Sequence, residues 1–126
     1  MKNIRNYGVV TGRLTKDPEI RVNTDGSRKV RFTVAVQDSF TDKQGKRGSQ
    51  FMPLEAFIAS SNKSNGAYDY MDEGDLVSCS YTVNNNNYVD KNGHKVYGLT
   101  LLVDEVALLE TKASKEARLA AKEGAA

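Results

Sequence analysis

Two phenylalanines on the polar face of a predicted strand give the clearest indication of function in this chain. Residues 51–58 have the sequence FMPLEAFI. Alternate residues of a strand share a face, so its aliphatic side chains face a core while Phe51, Glu55 and Phe57 face the other way. A glutamate does not belong in a core, which predicts that this second face is wet. Exposed rings can stack on unpaired nucleic-acid bases, each contributing roughly 1–3 kcal/mol whatever the base; alternatively, a neighbouring subunit or a helix covers them.

Two further aromatic residues lie beside basic turns. Phe40 precedes a polar loop at residues 41–49 that carries three basic side chains, and Tyr88 is followed by a turn that contains Lys91. A groove for a single strand needs a ring for the base and a cation for the phosphate. Either residue alone is more simply explained as an ordinary half-buried aromatic. Together, the four aromatics favour a nucleic-acid surface.

The charge distribution points in the same direction. The net charge is only +2, but residues 1–47 hold 11 Lys and Arg against 5 Asp and Glu, whereas residues 48–126 hold 7 against 11. A basic half beside an acidic half indicates a polyanionic partner for the first half. The competing interpretation is that unrelated strands happen to carry the excess.

No set of residues predicts an enzyme, a metal site or a cofactor. His94 lies in a turn without an evident Cys or Ser partner, and with Cys79 it cannot complete a Cys/His zinc site. The four acidic residues between positions 69 and 75 lack the spacing of a calcium loop. We interpret them as a solvated acidic turn that would repel phosphate.

The chain of 126 residues is the length of one domain. No apolar run approaches the roughly 18 residues of a membrane helix, and Met1 to Asn3 lead straight into strand-like sequence rather than a secretory signal. The single Cys79 fits a reducing compartment. We therefore expect a cytoplasmic protein.

Period-two patterning predicts five strands, at residues 7–14, 30–37, 51–59, 76–83 and 97–103. Short turns separate them, and residues 60–73 allow at most a short helix between the third and fourth strands. This arrangement predicts an all-β fold, a small five-stranded Greek-key barrel, although a five-stranded sandwich fits nearly as well. Residues 111–126 are rich in Ala and charge and predict a frayed helix or a disordered tail.

The sequence also resembles a known family. The run Gly12–Arg21 (GRLTKDPEIR), followed by Asp25-Gly26 and Phe32–Val36, resembles the N-terminal signature of bacterial and phage single-stranded DNA-binding proteins. The resemblance continues through residues 51–58, 73–75 and the hairpin from Tyr88 to Tyr97. It covers about residues 4–109.

The resemblance implies an OB-fold barrel with residues 1–110 as the binding domain, a homotetramer, and sequence-tolerant binding of single-stranded DNA in replication, recombination and repair. Family members stack bases on aromatics at four recurring positions. In this sequence those positions hold the four residues selected above: Phe40, Phe51, Phe57 and Tyr88.

Three departures from the family pattern affect these expectations. The chain has no Trp, so each stacked base should be held less strongly, and Asn84–Asn87 stand where basic residues are common, which should lower affinity and salt dependence. Cellular members usually end in an acidic, aromatic-tipped tail. Here the last sixteen residues have a net charge of +2, which argues against tail-mediated recruitment of replication enzymes and suggests a phage, plasmid or accessory version.

These observations predict a passive binder that coats and protects single strands. The candidate phosphate contacts are basic residues near strand ends, in loops or on the polar strand face: Arg13, Arg31, Lys43, Lys46, Arg47, Lys91 and Lys95. Two other functions stay open. One is a single-stranded RNA module, and the other is a protein-interaction OB module in which Phe51 and Phe57 are buried between subunits.

Overall fold

The computed structural model describes residues 4–124; residues 1–3 and 125–126, which belong to the predicted domain and tail, lie outside that range. The described chain contains eight strands: β1 (Gly8–Leu14), β2 (Glu19–Val22), β3 (Arg28–Gln37), β4 (Ser49–Ile58), β5 (Leu76–Asn85), β6 (Tyr88–Val89), β7 (Lys95–Val96) and β8 (Leu99–Leu108). A short 3-10 helix, Gly66–Tyr70, lies between β4 and β5, and the α-helix α1 spans Lys112–Gly124.

Five of these strands form a closed barrel in the order β1-β5-β8-β4-β3. The barrel closes because the end of β1 pairs with β3, with Arg13 opposite Ala35 and Leu14 opposite Val34. Neighbouring strands are antiparallel except β4 and β8, which are parallel with Leu54 opposite Leu101. The predicted all-β class and five-stranded barrel are confirmed, and the architecture is consistent with an OB fold. The closure rules out the sandwich alternative.

The barrel interior is filled by the aliphatic faces of the predicted strands. Val30 and Val34 of β3, Leu54 of β4 and Val77 of β5 are almost completely buried. Burial of an aliphatic side chain of this size contributes about 1.5–3 kcal/mol relative to exposure. Cys79 belongs to the same core, and burial raises the pKa of its thiol to about 11. It is therefore a packing residue rather than a nucleophile.

Gly12 allows the strands to approach closely where the barrel closes. A Cβ atom at this position would overlap the backbone carbonyl of Ala35 and contact the Val34 side chain. Glycine at this position of β1 therefore marks a close approach of two backbones. Gly8, at the other end of the strand, leaves room for the Tyr81 ring of β5, which a Cβ would meet.

The strand pattern differs from the sequence prediction in the number of strands and in the bounds of the last barrel strand; β6 and β7, like β2, were not predicted as strands. Glu19–Val22 forms an additional strand, β2, that pairs with the start of β3 outside the barrel. The last barrel strand was expected at residues 97–103 but starts at Leu99 and continues to Leu108. β8 starts later because Gly98 belongs to the connection with the β6–β7 hairpin. Its carbonyl oxygen accepts a hydrogen bond from the Asn86 backbone N–H.

The C-terminal helix begins after Thr111, whose hydroxyl accepts a hydrogen bond from the backbone N–H of Ser114. This is a helix N-cap, which satisfies one of the amides left unpaired in the first turn. A helix of this length is marginal in water on its own, so contacts with the barrel must contribute to its stability.

Those contacts are ionic. Lys115 Nζ lies 2.6 Å from Asp72 and 2.8 Å from Asp75, while Arg118 binds Asp75 at 2.7 Å and Glu110 at 3.0 Å. Asp75 is only 4% exposed, so the expectation of a solvated acidic turn is wrong for this residue. Its negative charge is compensated by the helix, which the sequence pattern could not show.

Candidate nucleic-acid interface

The outer face of β4 presents two bare aromatic rings. Phe51 and Phe57 are 65% and 64% exposed, whereas Leu54 and Ile58, on the opposite face, are buried. The predicted alternation of this strand is confirmed. The two rings are six positions apart in the strand, which at about 3.3 Å per residue is about 20 Å.

The residues opposite each ring on β3 differ in size and charge. Ala35 lies opposite Phe51, and Lys29 lies opposite Phe57. Side chains directly opposite one another in an antiparallel pair have Cβ atoms about 4.5–5.5 Å apart. Ala35 is therefore too short to cover the Phe51 ring, while the stem of Lys29 starts beside Phe57 and its ammonium group binds Glu55. A base stacked on Phe57 would have the Lys29 side chain beside it.

Between the two rings lies a cluster that we call the Glu55 triad, formed by Lys29, Arg31 and Glu55. Arg31 Nε lies 3.0 Å from Glu55 Oε1, and Lys29 Nζ lies 3.2 Å from Glu55 Oε2. The side chains of Lys29 and Arg31 are 41% and 56% exposed. The predicted phosphate contact Arg31 is thus on the aromatic surface, but its guanidinium is paired with a carboxylate.

A groove of about 440 Å³ borders the triad. It is formed where the connection between β1 and β2 and the start of β8 approach the surface of β3 and β4. Its lining includes charged and polar side chains as well as the outer face of β4: Lys16, Arg31, Pro53, Glu55, Asn86 and Thr100. The groove extends the aromatic surface sideways across the barrel.

The loop between β3 and β4 carries Phe40 and three of the predicted basic residues. Phe40 is exposed, as are Lys43, Lys46 and Arg47. The loop tip is ordered by Asp42, whose carboxylate accepts hydrogen bonds from the backbone N–H groups of Gln44 and Lys46 at 2.8 and 2.9 Å.

Among residues 4–124, no salt bridge involves the three cations of this loop. Their charged groups are therefore not held in ion pairs, and the carboxylate of Asp42 in the same loop binds backbone N–H groups instead. The loop adjoins the Phe51 end of β4, so it continues the aromatic surface with three exposed cations that are not held in salt bridges.

The fourth ring lies on the β6–β7 hairpin. Tyr88 is exposed and pairs across the hairpin with Val96, and the predicted turn at Asp90–Gly93 is confirmed, with Gly93 at a φ of +80°. The Asp90 carboxylate holds the turn by accepting hydrogen bonds from the backbone N–H groups of Asn92 and His94. Lys91 and Lys95 are exposed on the same hairpin.

Arg13 has a different environment from the other candidates. Its Nη1 donates hydrogen bonds to the carbonyl oxygen of Gly74 at 3.0 Å and to Glu110 Oε1 at 3.2 Å. Its backbone lies opposite Ala35, close to Phe51, but its guanidinium is tied to the segment that holds the C-terminal helix.

Lys29 was not among the residues predicted from the sequence to contact phosphate. The available signal was its position two residues before Arg31, which places it on the same face of β3. Its significance depends on the pairing of β3 with β4, which brings Lys29 opposite Phe57 and next to Glu55. Glu55 itself was used only as an indicator of a wet face.

Within the described part of the chain, no helix is long and apolar enough to cross a membrane. No group of three or more His, Cys, Asp or Glu side chains in residues 4–124 is arranged to hold a metal ion.

Comparison with known proteins gives one consistent result. The pattern of the Single-strand binding protein family matches residues 5–109. The chain is 32% identical over 111 residues to Single-stranded DNA-binding protein 1 of Staphylococcus aureus strain Mu50, covering 88% of this chain and 69% of that protein. It is 34% identical over 107 residues to Single-stranded DNA-binding protein 2 of the same strain, covering 85% and 74%. It is 32% identical over 120 residues to the Single-stranded DNA-binding protein of Lactiplantibacillus plantarum, covering 94% and 58%.

Proposed function

This chain belongs to the Single-strand binding protein family, and from that premise we propose that it binds and protects single-stranded DNA without regard to sequence. The observation that carries the proposal is the exposure of all four candidate rings, Phe40, Phe51, Phe57 and Tyr88, by 57% to 67%. A ring that is uncovered in the folded chain can take a base against its face.

The proposed mechanism is passive. Bases stack on the exposed rings, each contributing roughly 1–3 kcal/mol, while phosphates contact the neighbouring cations. Because only unpaired strands can lie against the rings, binding favours the unpaired state by mass action and opens hairpins. The protein would act in the bacterial cytoplasm as a homotetramer of Greek-key OB folds during replication, recombination and repair, encoded by a host, plasmid or phage.

The phosphate contacts fall into groups that differ in availability. The loop cations Lys43, Lys46 and Arg47 and the hairpin cations Lys91 and Lys95 are exposed. Arg31 and Arg13 must give up bonds to Glu55 and Glu110, respectively, to reach a phosphate. The logarithm of the affinity should fall with the logarithm of salt concentration at a slope of about −0.7 per neutralised phosphate.

The decisive experiment removes the rings and measures binding and assembly together. We expect Phe51→Ala and Phe57→Ala each to weaken binding to oligo-dT by roughly 1–3 kcal/mol, with the mass in solution unchanged by light scattering. Tyr70→Ala is the matched control, because Tyr70 is 71% exposed but lies on the 3-10 helix outside this surface.

Two outcomes would contradict the proposal. If the alanine variants lose their assembly state and keep their DNA affinity, the rings form a subunit interface. If matched RNA competes better than DNA, the chain is an RNA-binding module.

A further inference from the structure

We propose that Glu55 sets the strength and the salt dependence of DNA binding by competing with phosphates for Lys29 and Arg31. The inference rests on the function proposed above and adds Lys29 as a phosphate contact. It assigns a role to the Glu55 triad, which the stacking mechanism leaves unused.

In the Glu55 triad, the two oxygens of one carboxylate bind two different cations. One oxygen of Glu55 binds Arg31 at 3.0 Å and the other binds Lys29 at 3.2 Å, so each cation holds a different oxygen. The Glu55 side chain is 23% exposed, less than either partner. The cations can therefore be reached from solvent, while the carboxylate lies deeper between them.

The position of the triad places it on the path of a bound strand. Glu55 lies on β4 between Phe51 and Phe57 and shares their outward face, and Lys29 is directly opposite Phe57. A strand whose bases stack on both rings must run past Glu55. Its phosphates then meet two cations and one carboxylate.

The consequence follows from counting charges. Lys29, Arg31 and Glu55 together carry a net charge of +1. Ion pairs between exposed side chains are weak, so a phosphate can displace the Glu55 carboxylate from either cation. The carboxylate is fixed to the strand and stays within a few ångströms of the displacing phosphate, where like charges repel. Lys29 and Arg31 together therefore attract the phosphates of DNA little more strongly than one unpaired cation would.

The test compares Glu55→Gln with the wild-type full chain, using oligo-dT over a series of salt concentrations. We expect the variant to bind about three- to tenfold more tightly at low salt. We also expect its log–log slope to become steeper by about 0.7, the value for one additional neutralised phosphate. Glu116→Gln is the matched control, because it makes the same change in net charge at an exposed position on α1, and its slope should equal that of the wild type.

Two Lys29 variants extend the test, and the single variant Lys29→Gln does not depend on the stability of Glu55→Gln. Lys29→Gln should bind more weakly than the wild type, with a slope shallower by about 0.7. The double variant Lys29→Gln/Glu55→Gln has the same net charge in the triad as the wild type and should return to the wild-type slope. Thermal unfolding of each variant verifies that the barrel is intact.

The outcomes separate this inference from the proposed function. A wild type that binds oligo-dT, with Glu55→Gln showing the wild-type slope or weaker binding, would overturn the inference alone. A Lys29→Gln slope equal to that of the wild type would also overturn it. A wild type that does not bind oligo-dT would overturn the proposed function and this inference with it.

Discussion

Arg118 on the C-terminal helix donates a hydrogen bond of 2.7 Å from Nη2 to the Oδ1 atom of Asp75, a buried carboxylate in the residue before β5. Lys115 binds the other oxygen of the same carboxylate at 2.8 Å. The helix is therefore held to the barrel mainly by charge. Its attachment should respond to substitution and to pH in ways that the apolar core does not.

Loss of Arg118 should loosen the helix without unfolding the barrel. We expect Arg118→Gln to weaken helix docking by about 1–3 kcal/mol, because Asp75 and Glu110 each lose a charged hydrogen-bond donor. Amide hydrogen exchange should become faster in residues 112–124 and stay unchanged in β3 and β4. Lys122→Gln is the control, since Lys122 is exposed in the last turn. Equal exchange in both variants would contradict the docking role.

Acid should detach the same helix. Burial acts to raise the pKa of Glu110, but the hydrogen bonds from Arg118 and from the Leu76 backbone N–H, with the charge of Arg13, outweigh it and lower the pKa below the ordinary 4.5. A carboxyl group whose pKa is lowered by folding stabilises the folded protein fully at pH values above its ordinary pKa. That stabilisation is lost as the pH falls through the pKa of the group in the folded protein.

The measurement is helix hydrogen exchange or helical circular dichroism as a function of pH. We expect the helix amides to be fully protected from exchange above pH 4.5 and to lose protection as the pH decreases further. Glu110→Gln should show weaker docking at neutral pH and a smaller acid transition. An acid transition of unchanged size in that variant would assign the effect to other carboxyl groups.

A larger ring at a stacking position should strengthen binding. We expect Phe57→Trp to bind oligo-dT about threefold more tightly, because a wider ring covers more of a stacked base, and its fluorescence should be quenched on binding. Tyr70→Trp, on the 3-10 helix, should show neither effect. Quenching in the Tyr70 variant and not in the Phe57 variant would place the DNA elsewhere.

Barrel closure should depend on Gly12. A methyl group at this position would overlap the Ala35 carbonyl, and because backbone cannot yield as a side chain does, Gly12→Ala should cost about 1–3 kcal/mol or more. Chemical denaturation should show a lower midpoint. An unchanged midpoint would mean that β1 and β3 can separate there without penalty.

The Cys79 thiol should be inert in the folded protein. Burial raises its pKa to about 11 from an ordinary 9.0, so its stabilising contribution is complete below pH 9.0 and is lost as the pH rises towards 11. A thiol reagent near neutral pH should react only slowly until denaturant is added. Fast reaction with the native protein would show that β5 opens.

The faces of the strands could be predicted because they depend only on local sequence. Alternation has a period of two, and a shift by one residue would exchange every core side chain for a surface one. For that reason the FMPLEAFI segment specified the exposure of Phe51 and Phe57 before any neighbouring strand was known. β2 was missed because Glu19–Val22 is exposed throughout and has no buried face to reveal it.

The alternation of apolar and polar residues does not predict contacts between distant segments of the chain. The sequence predicted five strands and favoured a barrel only slightly over a sandwich, and the pairing of the end of β1 with β3 closes the barrel. Glu55 meets Lys29 and Arg31 because β3 and β4 pair in one register, and Asp75 is buried because a helix 43 residues further along reaches it through Arg118. Local alternation determines which way each side chain faces, whereas the partner it meets depends on chain closure over long separations, which no short window of sequence contains.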